Sequence, residues 1–501
     1  MPAPIAAAGA DAADRERAAE LLCRPELAEI VDFVAWAQGQ GDERCVVVAN
    51  AGGSARLRHD GGDDADELVW GRHPVAGRDP MAFVPYDLEV ADPSPPNTRN
   101  AYPYAAERLH SFFAEPRAPD IVVVHTPRHY FPELGGHVGE HGSLDVIQSR
   151  APLVVSGAGV RRRGVLDEHV RLVDVAPTLA WLAGVDGERL AGLDGAVLDR
   201  LVGPGARHVV GLLWDGAGSG DLLHLAAQGT LPNVARLIES GTALRGGAVA
   251  EFPSVTLCNH TSALTGVGPG RHGVIGNAYY DRQRGTTVVP NDPSTWHRSA
   301  EWLRPGLMTV YEHVAAAFPN GGTDPLTASV NEPIDRGAAY STMALIRAHA
   351  AEDGASAMTR SLPDPRTSRH ASQEWVAKEP GYARWTQIDD AGLAQMLDLW
   401  RNAASAPLFT WWNSVVTDAA HHVGGPRSPV ARAALVDADR RLGVFLDRLD
   451  ALGLAEETVL LLTADHGFER TDPDCRGHWG DALGGAGLRF REVGPGFIYL
   501  G

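Results

Sequence analysis

Short, wholly apolar runs that end abruptly in an acidic residue constrain this chain more than any other feature. VVGLLWDGAG places Asp215 directly after one such run, and LLLTADHG places Asp465 and His466 after another. Comparable runs cover residues 45–49, 121–124, 152–155, 209–214, 408–416 and 459–463. Apolar side chains without alternation read as strands buried on both faces, the pattern of parallel strands covered by helices. The segments between them have helical spacing. Residues 231–240 carry Pro232 near the start and are followed by Gly241, and residues 430–452 repeat Leu435, Ala438, Leu442, Phe445, Leu449 and Leu452. Alternating strand and helix predict a doubly wound α/β fold. Ligands of such sheets collect beyond the carboxyl ends of the strands, so Asp215, Asp465 and His466 are candidates for one crevice.

Composition narrows the partners. Of 501 residues 44% are hydrophobic and 21% charged, enough apolar material for a sizeable core. The formal net charge of −19 repels duplex nucleic acid and anionic membrane. Cys23, Cys45, Cys258 and Cys475 are scattered, which fits neither a disulfide framework nor a cysteine zinc site. The opening MPAPIAAAGADAADRERAAELL is soon interrupted by charge and does not read as a signal peptide. With no apolar run long enough to span a bilayer, a soluble cytoplasmic protein is expected. Residues 186–207 are Gly-rich and read as a connector, and residues 281–400 are irregular and read as an insertion or cap. Arg161, Arg162 and Arg163 read as a solvated turn.

A third polar group follows the 408–416 run: Asp418, His421 and His422, with Asp418 and His422 one helical turn apart. Three aspartates and at least two histidines at strand ends are the ingredients of a divalent metal site with oxygen and imidazole ligands, zinc first and manganese second. The segment FPSVTLCNHTSALTGVGPGRHGVIGN adds Thr256, a hydroxyl that becomes a competent nucleophile once a bound metal lowers its pKa.

This segment resembles the nucleophile region of the type I phosphodiesterase/nucleotide pyrophosphatase family of the alkaline phosphatase superfamily. The resemblance rests on Pro253, Thr256, Asn259, His260, Thr265, Gly266, Pro269, His272, Gly273 and Asn277, and extends to Asp215, to Asp418 and His422 in TDAAHHVGGP, and to Asp465 and His466 in TADHG. It implies an α/β fold with a central, mostly parallel sheet flanked by helices and an inserted cap. The family requires one more metal-binding histidine in an HG motif downstream of the DHG motif. After His466 the sole histidine is His478, in RGHWGD. The expected pattern stands instead near the N-terminus, where GGHVGEHGSLDVIQSRAPLVVSGAGV is similar to the C-terminal part of family members. That likeness makes His141 the missing ligand and the chain a circular permutation; His137 starts no HG pair and is the weaker candidate. Residues 1–185 would then be the family's C-terminal-like part, 186–207 the connector, 208–280 and 401–501 the catalytic core, and 281–400 the cap. Closely spaced surface termini make such a permutation tolerable.

Carried over by this resemblance, Asp418, His422 and His141 hold one divalent ion and Asp215, Asp465 and His466 the other, with Thr256 facing the second. Asn277 resembles the asparagine that donates to a phosphoryl oxygen. The implied activity is metal-dependent hydrolysis of small-molecule phosphodiester or pyrophosphate bonds through a phosphothreonine. Two divalent cations balance three aspartates and an alkoxide, and such a near-neutral site suits a diester monoanion. A phosphomonoesterase or phosphonate C–P hydrolase on the same core is the alternative activity, and a non-catalytic metal-binding protein the alternative of another class. Cys258 and Val255 depart from residues common in relatives without removing a needed group. Cys258–Asn259–His260 does not continue into the pattern of a formylglycine sulfatase, and threonine at 256 disfavours a phosphoglycerate mutase. The sequence carries no signal of oligomeric state. His141→Ala is expected to lower zinc content to near one ion per chain while His478→Ala leaves it near two, as read by metal analysis of purified protein. The reverse result contradicts the permutation.

Overall fold

The computed structural model describes residues 11–39, 43–59, 64–75, 86–91, 101–132, 135–203, 205–319, 325–353, 362–494 and 496–501. Its main element is a nine-stranded sheet. The strands His208–Trp214, Phe409–Ser414 and Thr458–Thr463 run parallel at its centre, with His208–Trp214 hydrogen-bonded to both others. Each is buried along its whole length, which is why the sequence shows unbroken apolar runs rather than alternation. Helices cover both faces. One face packs against Val175–Leu182, the other against Pro232–Ser240 and Pro429–Leu452. The two long helices lie within two residues of their expected positions. Ser428 caps the longer one through its hydroxyl, and Gly453 ends it in the left-handed conformation.

Arg150–Gly157 lies inside this sheet, between Thr458–Thr463 and Gly241–Val249, and runs antiparallel to both. The register sets Leu153 beside Thr463 and Gly157 beside Val459. The reversed strand therefore begins at the edge where its parallel neighbours end. Whatever precedes it in the sequence is delivered to the ligand-binding edge of the sheet.

The apolar runs at 45–49 and 121–124 are strands, Cys45–Asn50 and Ile121–His125, but in a second sheet whose pairings are antiparallel throughout. The expectation of parallel pairing fails here for a local reason. Cys45–Asn50 and Gly53–His59 are joined by a two-residue turn, which permits only a hairpin. Apolar clusters on both faces of this sheet, one including Leu109 and Phe112 and the other Ala18 and Leu22, give its strands the same unbroken pattern. Burial alone does not distinguish the two arrangements. The sheet also takes in Phe497–Leu500, paired with Ile121–His125, so strands from both ends of the sequence share it.

Residues 186–207 are anchored to the core by buried Leu190, Leu198, Leu201 and Val202. The 281–400 stretch supplies two strands at one end of the main sheet, Thr327–Val330 and Tyr340–Ser341, besides the helices Thr342–Asp353 and Pro380–Leu399. Arg161, Arg162 and Arg163 are exposed, and all four cysteines are free thiols. No helix among the described residues is long and apolar enough to cross a membrane. Because Arg150–Gly157 is an interior strand, a fragment of residues 208–501 leaves open the backbone edges of two buried strands and the cavity once filled by Leu153, Val154 and Val155. It is expected to show no cooperative thermal transition by circular dichroism, and a sharp transition near that of the full chain contradicts this assembly.

Candidate metal and nucleophile site

The strand-end residues converge as the topology requires. Asp215 follows His208–Trp214, Asp465 and His466 follow Thr458–Thr463, and Asp418 stands on the helix Val416–Gly424 that follows Phe409–Ser414. Thr256 opens the helix Thr256–Thr265 beyond Gly241–Val249, and His141 lies just before the reversed strand. Gly216 makes the turn after Asp215 possible. It has φ +71°, and a Cβ there would lie 2.3 Å from the Phe468 ring. Its N–H donates to Asp465 Oδ1 at 2.9 Å, leaving Oδ2 toward the site.

Four overlapping groups of potential ligand atoms form among the described residues; Asp215 recurs with Asp418 and His466 and with His260 and Asp465, and His422 with His137 and Glu140. His141, Asp418 and His422 are one, with Asp418 Oδ1 3.9 Å from His141 Nε2 and 3.5 Å from His422 Nε2. Beside it, His466 Nε2 lies 3.2 Å from Asp465 Oδ2 and 3.8 Å from Asp215 Oδ1. The His141 and His466 rings stack at 3.6 Å. Every one of the six expected ligands is therefore in the cluster. His478 is exposed and belongs to none of these groups.

Hydrogen bonds at the far side of each imidazole decide what it offers. The Nδ1–H groups of His141, His422 and His466 donate to the carbonyls of Ser254, Gly139 and Gly467, at 2.9, 3.0 and 3.1 Å. A neutral imidazole so fixed presents the Nε2 lone pair to the site, the orientation that metal-ligating histidines need. Burial holds the pKa of all three below the ordinary histidine value, with neighbouring imidazoles adding repulsion, so they remain neutral bases.

The carboxylates show the opposite strain. Burial, then the charges of Asp465 and Asp418, push Asp215 well above the usual carboxylate range. Burial and Asp465 push Asp418 up to about 8. Burial raises Asp465 too, but the His466 and His260 beside it hold it below its usual value. Asp215 Oδ1, Asp418 Oδ1, Asp465 Oδ2 and His466 Nε2 are buried without a hydrogen-bond partner. Convergent carboxylate oxygens left without hydrogen-bond partners are costly unless a cation joins them, so this donor set fits divalent metal.

Two participants escaped the sequence reading. The sequence marks His260 only as a motif residue. Its Nε2 faces Asp465 Oδ2 at 3.5 Å and Asp215 Oδ2 at 3.6 Å, while Nδ1 lies 2.8 Å from Glu332. Glu332, fully buried, also accepts from Trp411 Nε1 at 3.0 Å. Glu332 comes from the 281–400 stretch and nothing in its local sequence announces the pairing; His260, four residues after Thr256, had the stronger signal. His137 reaches the neighbourhood as well. Its Nδ1 lies 2.9 Å from Glu140 and its ring 4.3 Å from that of His422, outside the His141 group.

The loops carrying His141 and Thr256 are stitched together. Besides the His141 bond to the Ser254 carbonyl, Gly142 N–H donates to Ser254 Oγ at 3.1 Å and Ser254 Oγ donates to the Ser143 carbonyl at 2.7 Å. Asn277 accepts from Leu257 N–H at 3.1 Å, which holds its carboxamide beside the start of the Thr256 helix. Thr256, Asp215 and Asp418 together line one end of a cavity of about 640 Å³. The rest of its wall comes largely from the 281–400 stretch.

Comparison with curated protein sequences finds no match. Among solved structures, murine ectonucleotide pyrophosphatase/phosphodiesterase 5 is 16% identical over 52% of this chain and 57% of its own, with a TM-score of 0.37. Phosphonoacetate hydrolase from Sinorhizobium meliloti, in complex with phosphonoformate, is 24% identical over 55% of this chain and 59% of its own, with a TM-score of 0.34. This chain thus spans less than two thirds of either. The sequence profile described as type I phosphodiesterase / nucleotide pyrophosphatase matches residues 209–494, more than half of the chain and the stretch that contains Asp215, Thr256, Asn277, Asp418, His422, Asp465 and His466. The chain belongs to the type I phosphodiesterase / nucleotide pyrophosphatase family.

Proposed function

We propose that this protein is a metal-dependent hydrolase of phosphodiester or pyrophosphate bonds, with Thr256 as nucleophile, built on a circularly permuted chain. The observation that carries the reading is the set of buried, unpartnered acceptors on Asp215, Asp418, Asp465 and His466 in a cluster that adjoins the Thr256 cavity. Asp418, His422 and His141 would hold one divalent ion, and Asp215, Asp465 and His466 the other. Imidazole and carboxylate donors in this ratio favour zinc, with manganese as substitute. Bound there, the ions would draw in a phosphoryl group and favour the ionised form of the Thr256 hydroxyl.

The chain's own residues do the rest. As the first residue of its helix, Thr256 sits where the helix N-terminus favours negative charge. The Leu257 bond to Asn277 Oδ1 leaves the carboxamide NH2 as donor to a phosphoryl oxygen. Attack by Thr256 Oγ forms the Oγ–P bond as the P–O bond to the leaving group breaks, the departing oxygen taking up a proton; water then attacks phosphorus and breaks the Oγ–P bond, which frees the phosphate product and restores Thr256. Three ionised aspartates and the threonine oxyanion balance two divalent ions, so a substrate with one negative charge is favoured over a dianion. Among the described residues lining the cavity there is no lysine or arginine to hold the additional charge of a monoester. Arg336 and Arg347, from the same stretch, are paired with Glu312 and Asp335.

The permutation has its support in position. His141, from before the profile match, joins the Asp418 cluster, and His478, after the DHG motif, is exposed elsewhere. In zinc-loaded protein, bis(4-nitrophenyl) phosphate is expected to be hydrolysed in preference to 4-nitrophenyl phosphate, and chelation to abolish both activities. Thr256→Ala should keep both metals yet lower turnover by a factor on the order of 1,000 or more. Activity retained by Thr256→Ala contradicts the covalent route, and preference for the monoester contradicts the charge argument.

A further inference from the structure

The cavity beside Thr256 has a wall that belongs to this chain's own 281–400 stretch. The helix Pro380–Leu399 turns Trp385, Ile388 and Ala391 toward it, and Thr342–Asp353 contributes Met343, Leu345 and Ile346. Trp296 stands against Trp385 with ring centroids 5.3 Å apart and planes tilted by 43°. Leu345 is 46% exposed, a large apolar side chain left open to solvent at the cavity. Grooves that leave such surface uncovered are commonly ligand sites.

Part of the polar lining is held by protein partners, while Asn413 Oδ1 is buried without one. Asn291 Oδ1 accepts from Trp296 Nε1 at 2.6 Å, and Gln395 Oε1 accepts from Tyr340 and Thr342 at 2.9 and 2.6 Å. Asn331 donates to the Ile388 carbonyl at 3.0 Å, and Asp390 accepts from Arg441 Nε at 2.9 Å. A base or sugar entering here would lose hydration against a wall made mainly of apolar side chains. An apolar group gives up no hydrogen bonds of its own on leaving water and would cover Ile346, Ile388 and the tryptophan pair.

We propose that this cavity binds an uncharged apolar ester arm of the substrate, an alkyl chain or an aromatic ring, whose phosphoryl end lies at Thr256. The proposal rests on the phosphodiester reading and names the class of alcohol carried by the substrate. At about 640 Å³ the cavity accommodates a group much larger than methyl.

The test is binding to zinc-loaded protein, read by tryptophan fluorescence, with methylphosphonate, phenylphosphonate, octylphosphonate and adenosine 5′-monophosphate as probes. Octylphosphonate or phenylphosphonate should bind at least about 100-fold more tightly than methylphosphonate, given about fourfold per buried methylene. Phenyl equal to octyl assigns an aromatic arm, and octyl tighter by tenfold assigns an alkyl arm; either supports the proposal. Ile388→Asp should weaken the favoured probe at least tenfold more than methylphosphonate, which also reports that the variant is folded. Equal binding of all three phosphonates, or tighter binding of adenosine 5′-monophosphate than of the best apolar probe, overturns the apolar site. Tight apolar binding in a protein that hydrolyses no diester would leave the site standing and refute the hydrolase reading.

Discussion

Three carboxylates gathered within a few ångströms of one another, Asp215 and Asp465 buried and Asp418 partly so, set the terms for the rest of this molecule. Asp215, Asp418 and Asp465 repel one another, and burial at the end of an apolar sheet removes the water that would screen them. Among the described residues no lysine or arginine pairs with them. The protein surrounds them with neutral imidazoles whose outer nitrogens are tied to backbone carbonyls. Such an arrangement is poor as a device for stability and good as a receptacle for cations. His260, clamped between Glu332 on one side and Asp215 and Asp465 on the other, carries its pKa well above the ordinary value under the charge of Glu332, despite burial. The fold equips this imidazole to be a cation itself.

Bringing His141 into this cluster required a reversed strand. The ends of the parallel strands already supply Asp215, Asp465 and, one helix later, Asp418. Another parallel strand would have carried its preceding loop to the far edge of the sheet. Arg150–Gly157 runs the other way, so the loop before it arrives among the carboxylates. The Ser254 contacts then lock that loop to the segment bearing Thr256. On the proposed reading, a permuted chain keeps the family's site because strand order in space, rather than order in sequence, determines which side chains meet. Strands from both ends of the chain in the antiparallel sheet are in keeping with this.

Much of this was legible from residue order. Unbroken apolar runs located the central strands within a residue or two, and the acidic residues after them marked the edge where the site forms. The same signal misled at residues 45–49, 121–124 and 152–155, because cover on both faces hides the alternation by which antiparallel strands are usually recognised. His260 and Glu332 were obscure for a different reason. Their pairing spans 72 residues of sequence, and each alone is an ordinary buried polar residue. The apolar wall was invisible too: Trp296, Ile346 and Ile388 come from separate segments of a stretch without clear periodicity, and only folding sets them around one cavity.

On the proposed reading, side chains from before and within the family-matched region build one two-metal centre. Anomalous diffraction at the zinc edge, from crystals of the zinc-loaded protein, tests it most directly. The account predicts two peaks about 4 Å apart, one among His141, Asp418 and His422 and the other among Asp215, Asp465 and His466. A single peak, or one coordinated without His141, would contradict it.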